Sequence, residues 1–576
     1  MSVTTDGGMR RGAALMASGT AVSRVLGLLR GMVLVSAIGA TGQAADAFAV
    51  ANKLPNVLYM LLAGGMLNAV LVPQVVRAYK RRAGQEYVDR LLTLGFAVLG
   101  LASLVLTLGA PLLVRIYADP GNAAQTALAV SFAYWCVPQL FFYGMYALLG
   151  QVLNARGSFG PYMWAPVVNN VVSIAGFAVF IALFGASAAT DVEQASTWST
   201  GQVVLLAGGS TVAVAAQALV LLPSLRRAGV RYRPRWGLRG SGLGRAGTVA
   251  WWTFVGLVVG QLGYVVVSRV ASAAPAAAGV GSPAGDAVGP VAGNAAYDWA
   301  FLVFMLPHSL VTVSLATALF TRLSEQAHDE DTAAVRGTMS SGLRVVGVFT
   351  VIATAVVMVL ADPITDIVLW GAPPASVHAV TDVVLAMIVG LPAFGAWSLS
   401  QRVFYAYEDA RGMVPIQVVM AVVVVVGTLV GRVVLPPTAW VAGAGLAMSL
   451  SYAVGAVLAQ GRLRHRLGAV DGPRVLQLHV RALLAALVCA AAGTLVLVLL
   501  RRVLPDGRLA SFVECAVVGA GMCLLYVAVL RVLRVRELDR LLGPLARLVP
   551  GGRRRSGGPR GSEGRGSGPR NGSGGR

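Results

Sequence analysis

The chain has 576 residues, of which 56% are hydrophobic and 12% charged, and a formal net charge of +22. A mean hydropathy of +0.73 excludes an ordinary soluble domain and predicts an all-α polytopic membrane protein. The excess Lys and Arg fall in alternate short loops and not on one soluble face, which speaks for orientation in a membrane and against nucleic acid as a partner.

About 20 apolar residues cross a hydrocarbon core of about 30 Å, and reading at that length predicts about 14 spans. Six run near residues 14–38, 45–75, 91–116, 126–153, 161–185 and 201–223. Six more run near 247–271, 296–321, 343–361, 379–405, 415–435 and 440–460, and two follow near 481–500 and 510–531. The chain thus divides into a six-helix lobe (1–223), a basic linker (224–246), a second six-helix lobe (247–460), two extra helices (461–531) and a basic tail (532–576). From about residue 551 the tail is Gly, Arg, Ser and Pro with almost nothing apolar, and it is expected to be disordered. Its charge suits anionic membrane lipid. Ahead of it, Arg531 to Leu548 could form an amphipathic helix on the membrane.

Arg10 and Arg11 resemble the start of an export signal, but Arg24 interrupts any apolar core, so the first helix is expected to be retained. The N-terminus, the even-numbered loops and the tail hold about 36 of the 46 Lys and Arg, which predicts that both termini are cytoplasmic. Arg501, Arg502 and Arg508, between the last two spans, are the exception. Cys136, Cys489, Cys515 and Cys523 lie in apolar runs without ligand spacing and read as small buried hydrophobes, so neither a metal nor a disulfide is expected.

The first two spans carry Arg24, Arg30, Asp46 and Lys53. Facing lipid, each would cost about 2.5 to 3.5 kcal/mol, roughly 10 to 14 kcal/mol together, so they must face something polar. At 1.5 Å per residue, Arg30 and Lys53 both fall roughly 12 Å below the outer end, with Arg24 roughly 21 Å deep and Asp46 roughly 2 Å. Three cations against one acid leave a surplus, which suits a diphosphate moving along a cavity. Asp46 would hold one cation or shut the cavity. Asn56, Gln261, Arg269 and Asp298 are further candidates for its lining, and His308 and Arg432 are weaker ones. Asn169 and Asn170 read as contacts between helices.

An internal repeat joins the halves. Asp46 and Leu54-Pro55 recur as Asp298 and Leu306-Pro307 at a shift of 252, and Pro138 and Pro161 recur as Pro392 and Pro415 at 254. Each later proline follows an Ala-Arg-Gly run, Ala155 to Gly157 and Ala410 to Gly412, read as loops. Six spans separate the copies, so they share orientation, as in transporters that rock one bundle against another.

The runs from Ser23 to Arg30, Ala45 to Phe48, Lys53 to Asn56, Val72-Pro73, Leu153-Asn154 and Ala165-Pro166 resemble the MurJ/MviN family of lipid II flippases. This resemblance spans about residues 10–535 and places the chain in the superfamily of multidrug, oligosaccharide-lipid and polysaccharide exporters. It implies a transporter and not an enzyme, moving lipid II or a related polyprenyl-diphosphate lipid through a cationic central cavity, with Arg24, Arg30 and Asp46 at family cavity positions and Lys53 beside them. It also implies a bacterial inner membrane location, a polyprenyl groove along the last two spans and cell-wall synthesis proteins as partners; no cofactor is expected, since the sequence has no Walker motif, nucleotide loop or catalytic triad. Three departures stand out, the first being Tyr59 and Met60 where basic residues often follow the Leu-Pro-Asn run. Gly31 replaces a frequent acid, and the eighth span lacks a frequent Arg before its Leu-Pro, for which Arg269 is the candidate substitute. The competing readings are an exporter of another lipid-linked saccharide or of drugs, a polyprenyl-phosphate glycosyltransferase, and a scaffold that binds the precursor without moving it.

Overall fold

A computed structural model describes residues 4–62, 85–119, 121–187, 194–230, 232–236, 245–279, 289–468, 471–505 and 507–535. The protein is all-helical there, with no strand among the described residues. The first lobe holds α1 (Thr4–Ile38), α2 (Gln43–Leu62), α3 (Gln85–Leu108), α4 (Ala123–Ala155), α5 (Phe159–Phe184) and α6 (Thr200–Arg227). The second holds α7 (Arg245–Ala277), α8 (Asn294–His328), α9 (Thr332–Val359), α10 (Pro374–Ile388 and Leu391–Ala406), α11 (Ala410–Val434) and α12 (Trp440–Leu467). The chain then adds α13 (Gly472–Val503) and α14 (Arg508–Val532).

Among the described residues, 12 helices are long and apolar enough to cross a membrane, or up to 13 with the bent α10 taken as one span. The predicted count of 14 is therefore not reached. The shortfall is α2, whose helix carries Asp46 and Lys53 and is described only to Leu62, so the rest of the predicted 45–75 span lies outside the described residues. Most of the basic tail and of the expected amphipathic segment also lies outside them.

The matched prolines mark matched breaks. Pro138 sits where α4 divides into Ala123–Cys136 and Gln139–Ala155, and Pro392 sits where α10 bends by 51°. A proline has no N–H to donate to the preceding turn, so a break there leaves no donor unmet. One loop is corrected: Ala410 to Gly412 form the first turn of α11, because Asp409 caps it by accepting the Gly412 N–H at 2.8 Å.

Inside a membrane, helices are held by close packing and polar contacts, since lipid is as apolar as leucine. Small residues do this at α11 and α12, where Gly427 meets Ala447 and Gly431 lies beside Gly443. Asparagines do it elsewhere: Asn169 donates to Gln217 Oε1 at 2.7 Å, and Asn170 donates to the Ser23 carbonyl at 2.9 Å, fixing α5 on α6 and on α1. The last two helices belong to the second lobe. Tyr526 donates to the Val348 carbonyl of α9 at 2.9 Å, and His479 of α13 lies over Gly347. Outside the membrane, the linker returns to α3, where the Arg235 guanidinium beside Glu86 holds its carboxyl below the usual glutamate range. Cys136 and Cys489 are buried as predicted, but Cys523 is exposed and Cys515 half-buried.

Candidate substrate cavity and lobe seal

Four residues recur on one face of α1 at the helical period: Arg24, Leu28, Gly31 and Val35. That face looks at the second lobe, because Leu28 and Val35 pack into its apolar cluster and Gly31 meets the Trp299 ring of α8. Arg24 therefore lies on the lobe-facing stripe, and it is exposed. Arg30 does not share that stripe. Six residues at 100° each turn it about 120° away, onto the face of Ser23, Leu34 and Ala37 that packs within the first lobe. There it is half-buried, within electrostatic reach of Tyr143 of α4.

Asp46 and Lys53 are seven residues apart on α2, two turns on one face, and both reach the second lobe. Asp46 is fully buried, and its Oδ1 accepts the Ala295 N–H at 2.8 Å. It thus serves as the missing cap of α8, whose own preceding residue is Gly293 with no side chain to offer. Gly293 is required at that point, since a Cβ there would overlap the Asp46 carboxylate. Lys53 forms an ion pair with Asp298, three residues farther along α8, and its ammonium lies 4.0 Å from the centroid of the Tyr264 ring.

Further contacts join the lobes beside these. Ser36 donates to the Trp370 carbonyl at 2.9 Å, and the Thr41 and Ser376 hydroxyls pair at 2.9 Å. Ser268 donates to the Tyr117 carbonyl at 2.8 Å, and Ser272 accepts the Asp119 N–H at 3.1 Å. Ser36, Thr41, Asp46, Tyr117, Ser272, Ala295 and Trp370 all lie in or beside the first, third, seventh and ninth connections. Among the described residues, the polar contacts between the lobes gather at that end.

Below this seal lies a cavity of about 540 Å³, in the range of roughly 300 to 1,000 Å³ usual for small-molecule sites. Lys53 and Asn56 line it from α2, Gln261 and Tyr264 from α7, Tyr297 from α8, and Gln417 from α11. The buried Gln261 Oε1 has no hydrogen-bond partner.

Several sequence expectations change. Asp46 does not hold a cation; it holds a backbone N–H of the opposite lobe. Asp298 does not line the cavity as a separate group but neutralises Lys53 at its rim. Arg269 lies outside the cavity lining, exposed, donating to the Arg115 carbonyl at 3.2 Å near the sealed end. The three cations of α1 and α2 occupy three surfaces and not one cluster, because depth along a helix says nothing of azimuth. His308 is buried beside Phe394, with ring centroids 4.2 Å apart, and Arg432 stacks over Trp440. The exceptional arginines have partners that sequence reasoning missed: Arg501 pairs with the buried Glu514, and Arg508 lies over Trp370.

Comparison with known proteins agrees with this architecture. The family described as "Lipid II flippase MurJ" matches residues 34–518. A "Probable lipid II flippase MurJ" of Vibrio cholerae is 26% identical over 427 residues, covering 71% of this chain and 75% of its own. A "Lipid II flippase MurJ" of Burkholderia cenocepacia is 27% identical over 487 residues, covering 82% and 87%. The solved structure titled "Lipid II flippase MurJ, inward closed conformation" superposes with a TM-score of 0.66 at 16% identity, covering 91% of this chain and all of that one. An inward-facing MATE transporter of the MOP superfamily shares the fold at a TM-score of 0.60 and 14% identity, covering 80% of this chain and 99% of its own. With the matched region running from α1 into α14 and the two-lobed fold shared, this chain belongs to the MurJ family of lipid II flippases.

Proposed function

We propose that this protein carries lipid II, a peptidoglycan precursor on a polyprenyl diphosphate, from the inner to the outer leaflet by alternating access of its two lobes. It is a multi-pass protein of the bacterial inner membrane. The observation that carries the reading is the one-ended seal over a cavity whose rim holds Lys53. The basic connections lie at the opposite end, and cytoplasmic loops are the ones rich in Lys and Arg. On that orientation both termini are cytoplasmic, the seal faces outward, and the cavity is set to receive substrate from inside.

The cations then act in sequence. Arg24, exposed on the lobe-facing stripe, meets the diphosphate first with a planar fork of donors. Lys53 meets it at the rim, where two phosphates offer more negative charge than the single Asp298 carboxylate and draw the ammonium away. That exchange breaks one link of the seal, so arrival of the substrate favours opening toward the outer leaflet. Arg30 acts from within the first lobe. The basic tail adds attraction to anionic lipid of the inner leaflet, and cell-wall synthesis proteins that consume lipid II would meet the opposite face.

The test is depletion of this protein with leaflet-resolved labelling of lipid II, rescued by wild type and by Arg24→Ala. Outer-leaflet lipid II falls on depletion, returns with wild type and fails to return with Arg24→Ala. An unchanged outer-leaflet pool, in cells without a second flippase, would overturn transport and favour a scaffold that only binds the precursor.

A further inference from the structure

We infer that the protein carries a second ligand site, for the headgroup of a zwitterionic phospholipid of the phosphatidylethanolamine type, at the end of α13 and α14 that lies beside the seal. A cavity of about 850 Å³ opens there, between the ninth connection and the turn that joins α13 to α14. It shares no lining residue with the cavity that Lys53 rims, and it lies at the helix ends and not along the length of the last two spans. The inference does not depend on what the lobes transport.

The cavity is a charge pair set in an apolar wall. Among the described lining residues the ionised groups are Arg508 and Asp366, both half-buried. The Arg508 guanidinium lies 5.2 Å from the centroid of the Trp370 ring, and stacking on a ring leaves the N–H donors at its edge to other partners. Asp366 Oδ2 accepts the Ser511 hydroxyl at 2.8 Å, which uses one of the roughly four acceptor positions of a carboxylate. Pro374, Leu504 and Leu509 supply hydrocarbon, and Leu509 is otherwise 78% exposed.

That pair selects the ligand. A phosphate diester takes parallel N–H bonds from an arginine, and a primary ammonium suits a carboxylate. A lipid with both groups in its headgroup satisfies both side chains, and its chains cover the leucines. A purely anionic lipid would meet the Asp366 carboxylate, and a cationic drug would meet Arg508. The level is right for a lipid, because α13 ends at Val503 and α14 begins at Arg508, where the spans leave the hydrocarbon and Trp and Arg side chains settle. The site also gives the unexpected arginines of this connection a use: Arg501 holds Glu514, and Arg508 is left to face a headgroup.

Occupancy reaches the seal. Trp370 and Pro374 line the cavity from one side of the ninth connection and its junction with α10. The first lobe grips the same stretch from the other side, through Ser36 on the Trp370 carbonyl and Thr41 on Ser376. Gly371, at φ 101°, lets them meet, since a Cβ there would overlap the Ser36 hydroxyl. A bound headgroup therefore holds this connection where the seal needs it.

The experiment places full-length protein in nanodiscs of equal parts phosphatidylethanolamine and phosphatidylglycerol and counts the lipids it retains by native mass spectrometry. Wild type is expected to retain one phosphatidylethanolamine in preference to phosphatidylglycerol, a result that needs no variant. Arg508→Gln and Asp366→Asn should each lower that retention about tenfold, the worth of a hydrogen bond to a charged group. Arg502→Gln, exposed and outside the lining, should leave it within about twofold. Reaction of a Ser376→Cys variant with an impermeant maleimide should rise about threefold when phosphatidylethanolamine is left out, because a ligand of the sealed state stabilises that state. Equal retention of the two lipids, retention of neither, or a loss in Arg502→Gln as large as in Arg508→Gln would overturn the site. Equal competition by soluble glycerophosphoethanolamine would assign it to a soluble zwitterion and overturn the lipid. Maleimide reaction indifferent to phosphatidylethanolamine would overturn its hold on the seal, and none of these outcomes bears on lipid II transport.

Discussion

Asp46 and Asp298 stand at matched places in the two halves, yet the protein uses them differently. Asp46 is fully buried and grips a backbone N–H of α8, whereas the Asp298 side chain is 33% exposed and faces the Lys53 ammonium. The backbone group is fixed to its helix and cannot be drawn to a ligand; the ammonium, on a flexible stem, can. One seal thus combines a clasp that only separation of the lobes can break with another that, on the proposed function, a phosphate would exchange. The repeat supplied two carboxylates, and the way the lobes dock gave each its task.

This contrast can be broken at either clasp. Labelling of Ser376→Cys by a membrane-impermeant maleimide reports opening, in a background where the exposed Cys523 is replaced by serine. Gly293→Ala has the largest expected effect, because the new Cβ displaces the Asp46 carboxylate outright. Labelling should rise about thirtyfold or more, equivalent to at least about 2 kcal/mol. Asp46→Ala comes next: loss of a helix cap is worth about 0.5 to 2 kcal/mol, and Asp46→Asn, which keeps an acceptor oxygen, should open less. Equal opening by Ala and Asn would show that charge and not the cap holds this clasp.

Lys53→Asp and Asp298→Lys should each loosen the seal by about 0.2 to 1 kcal/mol, as befits a partly exposed pair. The double swap should restore closure to within twofold without restoring lipid II transport, since the cation then projects from the wrong lobe. Recovery of both would remove Lys53 from the list of phosphate ligands. The smallest effect belongs to Gly31→Ala, whose Cβ would come within 3.1 Å of the Trp299 ring. That ring has to shift by a few tenths of an ångström, and labelling should change by about twofold or less.

Much of the fold was legible in the sequence because a span is a local property: twenty apolar residues between charged loops declare themselves without any partner. The repeat of Pro138 as Pro392 was legible as a spacing, but that both mark helix breaks emerged only with the structure. What resisted reading was azimuth and docking. Arg24 and Arg30 looked like one cluster until the contacts of Leu28, Gly31 and Leu34 fixed which way α1 is turned. The pairing of Lys53 with Asp298 crosses 245 positions, and nothing near either residue announces the other. One clue was present: Asp46 and Lys53, at a spacing of seven, had to look the same way. Gly31 was likewise unreadable alone, since only the docked structure shows that it faces the Trp299 ring of α8.

The attachment of α13 and α14 bears on how a long isoprenoid could travel. Their bonds run to α9, through Tyr526 to Val348 and His479 over Gly347, and Arg508 reaches the Trp370 whose carbonyl Ser36 must release when the lobes part. The two helices are therefore passengers of the second lobe. On the proposed function, a hydrocarbon lying against them would keep its neighbours while its headgroup changed leaflet, so the oily end would not have to let go for the polar end to cross.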